Sequence, residues 1–435
     1  MDDLFARYLV SLSQIEQLPH SKLDLFQRGL IERIVRHARD NTAFYGDRLQ
    51  PVFNGKDTFD FSRWSEIPIL ERQHAAKVTT LMRATEVPAN CGSVHEITTS
   101  GSTGTALRFS TNSLVSTAGN GAVTRLAEWH GVDTSRPLAM IRMFSGEANL
   151  PPDGFHTKGW SQASPNADAF GIDMRIPVDF QIDWLERKKA PYLMTSASHA
   201  MAIGYAAGHE RTQSLGIQAI FLAAETVQPS ARDAIQKMFG ARIATIYSCQ
   251  EIGVIAIGCP VSRLYHIVID NALVEILRPD GTPVEPGETG RIVVTGLHNY
   301  ATPFIRYAVG DVATAAAGPC GCGRSLPLIA QIEGRTRAEF VFNDGKRMWP
   351  RGAHVEEMRR FVSFSEFQLV QLTPNDIEFR FRQEPGKLDI GGLQRYAQEA
   401  FHPAVRIHAV AVSDFPRGPG GKHDHFISLV QDAKR

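Results

Sequence analysis

Four short apolar segments in the middle of the chain alternate with helical patterns, and they limit the possible folds more than any other feature. The segments are residues 138–141, 192–195, 219–222 and 243–246. Helices are predicted from about residue 200, after the second segment, and over residues 229–239, after the third. Short apolar strands separated by helices are typical of a parallel sheet with helices packed on it. Because ligand loops of such sheets lie at the carboxyl ends of the strands, the sequence predicts an α/β fold with a site at that edge.

The flanking regions predict further elements. Residues 25–49 and 114–130 carry helical patterns, and Gly131 suits the C-terminal cap of the second helix. Beyond residue 267, strand-like segments separated by Gly/Pro turns predict a β-rich subdomain. These segments are residues 272–277, 291–295 and 304–307. Asn343-Asp344-Gly345 lies between two further strand-like segments and predicts a hairpin.

Length and composition bound the class of protein. A chain of 435 residues exceeds one comfortable hydrophobic core, so two or more domains are expected. Lys and Arg together number 46, and so do Asp and Glu, which argues against a nucleic-acid partner and a polybasic membrane patch. The N-terminus lacks the pattern of a signal peptide, and no apolar run approaches the length of a membrane span. Five cysteines in so long a chain do not form a secreted disulfide framework, so a reducing, cytoplasmic location is predicted.

A stretch of small and hydroxylic residues lies between two strand-like segments, 94–97 and 106–109. Residues 98–105 read Thr-Thr-Ser-Gly-Ser-Thr-Gly-Thr. Glycines let the backbone approach a phosphate closely, while hydroxyls and successive N–H groups donate hydrogen bonds to it. The stretch is no Walker A loop, because no Gly-Lys-Ser/Thr follows at the required spacing. The pattern predicts a phosphate-binding loop, with a simple turn or linker as the alternative.

Four further motifs follow this loop in order. Tyr247-Ser-Cys-Gln-Glu251 ends a predicted strand, and Arg306-Tyr-Ala-Val-Gly-Asp311 is predicted to place a carboxylate on a loop. Gly334-Arg335 precedes the C-terminal region, and Lys422 lies in a Gly/Pro-rich loop. Each residue alone has an ordinary structural explanation: a core tyrosine, a turn aspartate, an acid near a helix N-terminus or a solvated lysine. The joint order of the motifs favours function.

In order and spacing, the loop and these motifs resemble the adenylate-forming superfamily of acyl-CoA synthetases, most closely its phenylacetate–CoA ligase-like branch. The resemblance covers nearly the whole chain, including an N-terminal helix followed by residues 41–45. It implies a large N-terminal α/β adenylation domain with a β-rich zinc subdomain, residues 1–334, and a small mobile α+β C-terminal lid, residues 335–435. It also implies ATP-dependent activation of a carboxylic acid to an acyl-adenylate, then transfer to coenzyme A with release of AMP.

The resemblance implies a role for each motif in binding the nucleotide. The ATP phosphates would be held by the loop residues Ser100, Gly101, Ser102, Thr103, Gly104 and Thr105. Tyr247, next to Ser248, would stack on adenine. Asp311 would accept hydrogen bonds from the ribose hydroxyls, and Arg335 would lie near the ribose and phosphate. The segment Ala224-Glu225-Thr226 would line the pocket for the nucleotide base and the acyl group.

Two of the implied roles are catalytic. Glu251 would coordinate Mg²⁺, and Lys422 would bridge the substrate carboxylate and the α-phosphate. Attack of a carboxylate on the α-phosphate brings two anions together, so an ammonium ion and Mg²⁺ would offset the charge as it develops. No enzyme nucleophile is needed, because positioning and electrostatics carry transfers of this kind. In the family the C-terminal domain rotates between the two half-reactions, so Lys422 would serve only the first.

The chain departs from the family pattern at two places. Arg337 occupies the hinge position after Gly334-Arg335, where Asp or Lys is common. This departure leaves the domain rotation and the thioester step open. Ala106-Leu107 follows the small-residue loop in place of the lysine that many relatives carry, an omission usual within the branch.

Three cysteines and a histidine form a second candidate site. Cys259 and the pair Cys320-Gly-Cys322 lie in turn-forming sequence, and His266 lies between them in the chain. Three cysteines with one histidine make a closed tetrahedral zinc set with no open position, which is structural rather than catalytic. Some members of the branch carry such a site. The resemblance therefore favours zinc over buried free thiols beside an ordinary histidine.

An aryl or cyclic carboxylic acid is the predicted substrate, because aromatic and imidazole side chains lie where the acyl pocket is expected. These residues are Trp129, His130, Phe144, His156 and Trp160, for which ordinary packing is the alternative. Coenzyme A is the acceptor by resemblance, and an amine or a carrier-protein thiol is the alternative. A catalytically silent nucleotide-binding regulatory protein is an alternative of another class, against which Glu251 and Lys422 argue. The assembly state, including a homodimer, is left open.

Overall fold

The computed structural model describes residues 9, 11–55, 57–99, 107–144, 150–335, 339–348, 350, 354, 357–415 and 425–430. Three features discussed above lie outside the described residues: the Ser/Thr/Gly loop from Ser100 to Thr105, Arg337 and Lys422. Among the helices that are described, none is long and apolar enough to cross a membrane.

The elements are numbered here in chain order. The helices are α1 (His20–Asn41), α2 (Arg72–Met82), α3 (Ser113–Trp129), α4 (Val178–Lys188), α5 (Ala197–Ser214), α6 (Pro229–Phe239) and α7 (Ile390–Ala400), with short 3-10 turns at Gln50–Val52, Phe61–Glu66 and Ala89–Cys91. The strands are β1 (Phe53–Asn54), β2 (Thr58–Phe59), β3 (Leu70–Glu71), β4 (Val94–Thr98), β5 (Arg108–Asn112), β6 (Leu138–Arg142), β7 (Phe155–Lys158), β8 (Asp168–Asp173), β9 (Tyr192–Thr195), β10 (Ala219–Leu222), β11 (Arg242–Cys249), β12 (Gly253–Gly258), β13 (Tyr265–Ile267), β14 (Ala272–Leu277), β15 (Thr289–Gly296), β16 (Tyr307–Ala315), β17 (Leu328–Arg335), β18 (Phe340–Val341), β19 (Arg347–Met348), β20 (Val362–Gln371), β21 (Asp376–Leu388), β22 (Arg406–Ala411) and β23 (Phe426–Ser428).

One mixed sheet of thirteen described strands forms the centre of the molecule. Its path runs β14–β15–β16–β17–β13–β12–β11–β10–β9–β6–β8–β7, and β3 pairs with β16. Strands β11, β10, β9, β6 and β8 are parallel. The four strands predicted from the apolar segments are confirmed as β6, β9, β10 and β11, and the predicted helix between β10 and β11 is α6.

Strand β10 explains why these segments are apolar throughout. Ile220 and Leu222 belong to a core shared with α4, α5 and α6, whereas Ala219 and Phe221 belong to a core shared with α3. All four side chains are fully buried. Because side chains alternate across a strand, a strand covered on both faces reads as a continuous apolar run. The parallel part of the sheet is therefore the middle of three layers.

The predicted β-rich region is continuous with the parallel sheet. Strand β11 pairs in parallel with β10 over residues 242–245 and antiparallel with β12 over residues 246–249. Strands β12 to β17 continue the sheet from there, and their mutual pairings are antiparallel. One strand thus belongs to both parts, and no separate sheet is formed by the described residues of this region.

The C-terminal region has its own sheet and its own core. Strands β22–β21–β20–β23 form a four-stranded sheet that packs with α7 around a phenylalanine-rich core. The predicted hairpin is confirmed as β18 and β19, with Gly345 at a φ of 83° in the turn. The predicted fold class, a large α/β domain with a β-rich part followed by a small α+β domain, is confirmed. The boundary at residues 334 and 335 and the mobility of the smaller part remain predictions.

The N-terminal helix is shorter at its end than the sequence pattern predicts. Helix α1 ends at Asn41, whereas the pattern extends to residue 49. The Thr42 hydroxyl donates to the Ala38 carbonyl oxygen at 2.8 Å and accepts from the Tyr45 backbone N–H at 3.1 Å. A side chain that makes such local hydrogen bonds competes with the helical pattern, so the chain turns there.

Candidate active site

A cleft lies at the carboxyl end of the parallel strands, beside β11, β16 and β17. It is lined by seven residues to which the sequence assigns a nucleotide role: Ala224, Glu225, Thr226, Tyr247, Ser248, Asp311 and Arg335. The lining is completed by Val227, Gln228, Ile246, Tyr265, Ile332, Glu333, Gly334, His425 and Phe426. The fold therefore brings together every predicted nucleotide-binding residue that the structure describes.

The length of β11 explains how Tyr247 reaches this cleft. Strand β10 ends at Leu222, which is in register with Thr245, so residues 246–249 extend beyond the parallel edge of the sheet. The Tyr247 hydroxyl donates to Oδ2 of Asp311 at 2.8 Å. Burial and the neighbouring Asp311 carboxylate raise the pKa of Tyr247 well above its ordinary value. The cleft thus holds a neutral aromatic ring whose hydroxyl is anchored.

Asp311 lies on a strand, and the sequence prediction of a loop is wrong at this point. It belongs to β16 and is in register with Arg335 of β17, whose Nε is 3.1 Å from Oδ1 of Asp311. Gly310 suggests a turn in the sequence, yet with a φ of 83° it lies within the strand, at a register shift in the pairing between β16 and β15. Glycine permits such an interruption of a strand pair without a turn. The Asp311 carboxylate, held by two partners, retains lone pairs for hydroxyl donors.

The strand predicted just before this motif also begins later than expected. The sequence indicates a strand over residues 304–307, but β16 starts only at Tyr307. Arg306 has a φ of 47°, and its buried guanidinium donates to the Ile67 carbonyl oxygen at 2.6 Å. A left-handed residue interrupts an extended chain, so the strand cannot start before it.

The segment after β10 forms one wall of the cleft. Ala224 has a φ of 71°, a left-handed conformation that costs a non-glycine residue roughly 1–2 kcal/mol. The carboxylate of Glu225 accepts hydrogen bonds from the backbone N–H of Ser198 at 3.0 Å and from its hydroxyl at 2.8 Å. Ser198 lies in the first turn of α5, where N–H groups lack helical partners and a negative charge is favoured. Glu225 therefore joins this wall to helix α5.

Glu251 lies in the turn between β11 and β12, and its side chain is only 3% exposed. Arg72, the first residue of α2, donates to its Oε1 and also to the Tyr307 hydroxyl at 2.9 Å. The Tyr307 hydroxyl in turn donates to the same Oε1 at 3.0 Å. Arg72 was not identified from the sequence, because its partner is 179 residues away. The one local signal is a cation at the start of a helix, where the macrodipole favours an anion.

The strands that flank the predicted phosphate loop are described, although the loop is not. Strands β4 and β5 pair antiparallel, with Thr98 opposite Arg108. Beyond them, the Thr99 N–H donates to the Leu107 carbonyl oxygen at 2.9 Å, and the Leu107 N–H donates to Oγ1 of Thr99 at 3.0 Å. Nη2 of Arg72 donates to the same Oγ1 at 2.9 Å. Strands are thus confirmed on both sides of the predicted loop, and Thr99, the last described residue before it, is linked through Arg72 to Glu251.

The second predicted site is also assembled by the fold. The ligand atoms of Cys259, His266, Cys320 and Cys322 all lie within 4.8 Å of one another. Sγ of Cys259 is 3.4 Å from Sγ of Cys320, and Sγ of Cys322 is 3.3 Å from Nε2 of His266. Tetrahedral zinc with bonds of about 2.3 Å would separate sulfur ligands by about 3.8 Å. The four residues therefore fit a tetrahedral metal ion.

Two of the four residues are shifted toward their metal-binding forms, whereas burial raises the pKa of the Cys320 thiol. Burial, followed by the nearby Arg324 cation, lowers the pKa of His266 to about 4, so the imidazole is neutral at pH 7. Burial opposes ionisation of the Cys259 thiol, but hydrogen bonds from Ser262 and Val261 outweigh it and lower the pKa of Cys259. Neutral imidazole and thiolate are the forms that bind zinc.

The residues predicted to line an acyl pocket are scattered. Trp129 packs edge-on against His266, with 5.2 Å between ring centroids, and the buried His130 has its Nε2 3.1 Å from the Gly258 carbonyl oxygen. Trp160 donates to the Arg136 carbonyl oxygen at 2.9 Å, ahead of β6.

The two remaining residues of that prediction lie near β7. His156 is 2.8 Å from Asp168 on the neighbouring strand, and Phe144 follows the carboxyl end of β6 and packs edge-on against Phe155. None of the five predicted residues lines the described cleft, and Phe144 alone lies at the edge of the sheet where a ligand is expected.

No protein-family model matches the chain, and no curated protein matches it either. Among solved structures, 2-hydroxyisobutyryl-CoA ligase in the postadenylation state, in complex with R3-HIB-AMP, aligns with a TM-score of 0.76 and 18% identity over 96% of this chain and 91% of that chain. The same enzyme in the thioesterification state, in complex with 2-HIB-AMP and CoA, aligns with a TM-score of 0.64 and 19% identity, again over 96% of this chain and 91% of that chain. The amide bond synthetase McbA from Marinactinospora thermotolerans aligns with a TM-score of 0.55 and 14% identity over 76% of this chain and 67% of that chain.

At these identities the comparisons establish the fold. The chain has the fold that these acyl-CoA ligase and amide bond synthetase structures share, which agrees with the fold implied by its sequence motifs.

Proposed function

We propose that the protein activates a carboxylic acid with MgATP to an acyl-adenylate and then transfers the acyl group to coenzyme A, releasing AMP. The cleft supports this most directly, because seven residues that the motifs assign to the nucleotide line it together. If each residue had only its ordinary structural role, nothing would require residues from four distant stretches of sequence to meet in one place.

The chemistry of the lining suits a nucleotide. The neutral ring of Tyr247, with Ser248 beside it, offers a face on which adenine stacks. The Asp311 carboxylate accepts hydrogen bonds from the ribose hydroxyls. Arg335, held by Asp311 and by the Val309 carbonyl oxygen at 3.2 Å, places a guanidinium near the ribose and phosphate. Ala224, Glu225 and Thr226 line the same cleft and would form the wall along the base.

In the first half-reaction a carboxylate oxygen bonds to the α-phosphorus, and pyrophosphate leaves. The loop of Ser100, Gly101, Ser102, Thr103, Gly104 and Thr105 is proposed to hold the phosphates. Lys422 is proposed to bridge the carboxylate and the α-phosphate. It is three residues from His425 of the cleft lining, which limits their Cα separation to about 11 Å. Glu251 would hold Mg²⁺, which when bound offsets phosphate charge.

In the second half-reaction a thiol attacks the acyl carbonyl carbon, and AMP leaves. No nucleophile from the protein is needed for this step. Cys249 lies close to the site, but burial and the nearby Glu251 carboxylate raise the pKa of its thiol well above the ordinary value. A protonated, half-buried thiol is a poor nucleophile, so Cys249 takes no part.

The proposed acid is aryl or cyclic. Phe144 supports this, since it follows the carboxyl end of β6 and packs edge-on against Phe155 at 5.0 Å between ring centroids. Trp129 and His130, which the sequence suggested for the same pocket, have structural partners instead. The aryl preference therefore depends on Phe144 and on the resemblance to the phenylacetate–CoA ligase-like branch.

We expect coenzyme A to consume the adenylate. With a competent acid, adding coenzyme A should produce acyl-CoA and AMP in equal amounts, measured by chromatography, and omitting the acid should stop both. The departure at Arg337 and the shared fold with an amide bond synthetase make an amine or a carrier-protein thiol the second candidate acceptor. Adenylate that accumulates in the presence of coenzyme A, yet disappears on adding an amine or carrier protein, would replace the first acceptor by the second.

A structural zinc ion at Cys259, His266, Cys320 and Cys322 is also proposed. Cys320 and Cys322 lie in the connection between β16 and β17, the two strands that carry Asp311, midway along β16, and Arg335, at the end of β17. A metal that closes this connection would hold the two strands in register. Its contribution to the reaction is thus to the geometry of the cleft.

A further inference from the structure

We infer that Arg72 is a positioning residue for the proposed metal ligand. Together with Tyr307 it fixes Oε1 of Glu251, and so presents Oε2 of the same carboxylate to the Mg²⁺ that accompanies ATP. The inference depends on the proposed function and extends it to a residue that no sequence motif indicates.

The hydrogen bonds are distributed unequally over the Glu251 carboxylate. Arg72 and Tyr307 both donate to Oε1, the second at 3.0 Å. The described residues give Oε2 no hydrogen-bond partner. A carboxylate oxygen without a donor, on a side chain that is 3% exposed, is available to a cation. The two donors to Oε1 determine the direction in which Oε2 faces. Hydrogen bonds to a metal-binding side chain generally orient it in this way.

The same guanidinium reaches the predicted phosphate loop. While Nη1 of Arg72 serves Glu251 and Tyr307, Nη2 donates to Oγ1 of Thr99 at 2.9 Å. Thr99 immediately precedes the loop, and its Oγ1 also accepts from the Leu107 N–H at the far side of that loop. The planar fork of an arginine can hold both partners at a fixed separation, which a lysine cannot do. Arg72 therefore links the proposed Mg²⁺ ligand to the proposed phosphate site.

The placement of Arg72 has a cost that a purely structural role does not explain. It is the first residue of α2, where the positive end of the helix dipole disfavours a cation. Its side chain is 16% exposed, so most of its hydration is lost as well. An apolar pair of similar volume would pack this position without either penalty. The positive charge of Arg72 at this position is explained if its role is to orient the metal-binding oxygen of Glu251.

The test compares ATP affinity with and without Mg²⁺ by isothermal titration calorimetry. In the unchanged protein, Mg²⁺ should tighten ATP binding. In Arg72→Met, this Mg²⁺-dependent gain should fall by about 10- to 100-fold, the usual effect of removing a partner of a metal ligand. The affinity for ATP in EDTA should stay close to that of the unchanged protein. A merely structural role would lower the melting temperature but leave the gain from Mg²⁺ intact.

Arg291→Met is the matched control, because Arg291 forms an ion pair with Glu71, the residue next to Arg72, at 2.7 Å on the surface. It should retain the full gain from Mg²⁺. A folded Arg72→Met protein that also retains it would overturn the inference. If Arg72→Met is insoluble, Tyr307→Phe takes its place with the same two outcomes, because it removes only the second donor to Oε1. Unchanged protein that binds no MgATP would instead refute the proposed function.

Discussion

Replacing Lys422 by alanine should nearly abolish acid-dependent ATP–pyrophosphate exchange while leaving the affinity for ATP almost unchanged. The ammonium ion is expected to meet the carboxylate and the α-phosphate only while the adenylate forms. Without it, charge that develops in a water-poor site stays uncompensated. Removal of one comparable oxyanion donor costs roughly 10²–10³ in rate, and a loss of that size is expected here. Exchange of labelled pyrophosphate into ATP measures it directly.

The second half-reaction separates this role from a general loss of structure. Given chemically synthesised acyl-adenylate, Lys422→Ala should still transfer the acyl group to its acceptor, because Lys422 is expected to serve only the first step. Lys387→Ala is the matched control, since Lys387 is an exposed lysine of β21 in the C-terminal four-stranded sheet. It should affect neither step. Equal loss of both steps in a folded Lys422→Ala protein would show that two conformations of the enzyme are the wrong explanation.

Replacing Cys320 by serine should cost the protein its zinc and much of its stability. Protein prepared without chelator is expected to contain about one equivalent of zinc, and the variant much less than one. A loss of several kcal/mol would lower the melting temperature on the order of 10 °C, since each kcal/mol shifts it by roughly 2–4 °C in a domain of 150–250 residues. Metal analysis and a thermal melt measure the two effects.

Cys91→Ser provides the comparison for this variant. Cys91 is also a buried free thiol, but it lies outside the cluster of Cys259, His266, Cys320 and Cys322. The Cys91→Ser protein should keep its zinc and lose less stability than the Cys320→Ser protein. The absence of zinc from unchanged protein, or its full retention in Cys320→Ser, would remove the zinc site from the account.

Burial on both faces made the parallel strands predictable. Ile220, Phe221 and Leu222 are apolar in succession because each face of β10 meets a helical layer. A strand of this kind carries its own signature, and helix α6 adds a proline at its start and Gly240 after its end, at a φ of 63°. Local patterns of this kind are legible in a sequence because their causes are local.

The positions that depended on distant partners were misjudged. Asp311 reads as a turn residue after Gly310, yet pairing with β17 keeps it in a strand. Trp129 reads as a pocket aromatic, yet it packs against His266 and donates to Glu16 at 3.1 Å, a residue 113 positions earlier. Both placements depend on segments far away in the chain, and local secondary-structure propensity carries no information about such contacts.

The residues of the candidate site that belong to sequence motifs were predicted. A residue whose role depends only on its position in the fold was missed. Tyr247, Asp311 and Arg335 were identified by the order of their motifs, and all three line one cleft. Arg72 belongs to no motif, and its importance follows only from the meeting of α2 with Glu251 and Thr99. Ionic contacts across many residues leave no periodic trace in a sequence.

The central claim is that this protein joins a carboxylic acid to AMP, and ATP–pyrophosphate exchange measured across a panel of aryl, cyclic and short aliphatic acids tests it most directly. Exchange reports the reversible first half-reaction and needs no knowledge of the acceptor. The account predicts exchange that requires Mg²⁺ and is strongly stimulated by at least one acid, with aryl or cyclic acids ahead of aliphatic ones. Folded protein that binds MgATP yet gives no acid-dependent exchange with any acid of the panel would contradict the account and favour a nucleotide-binding regulatory protein.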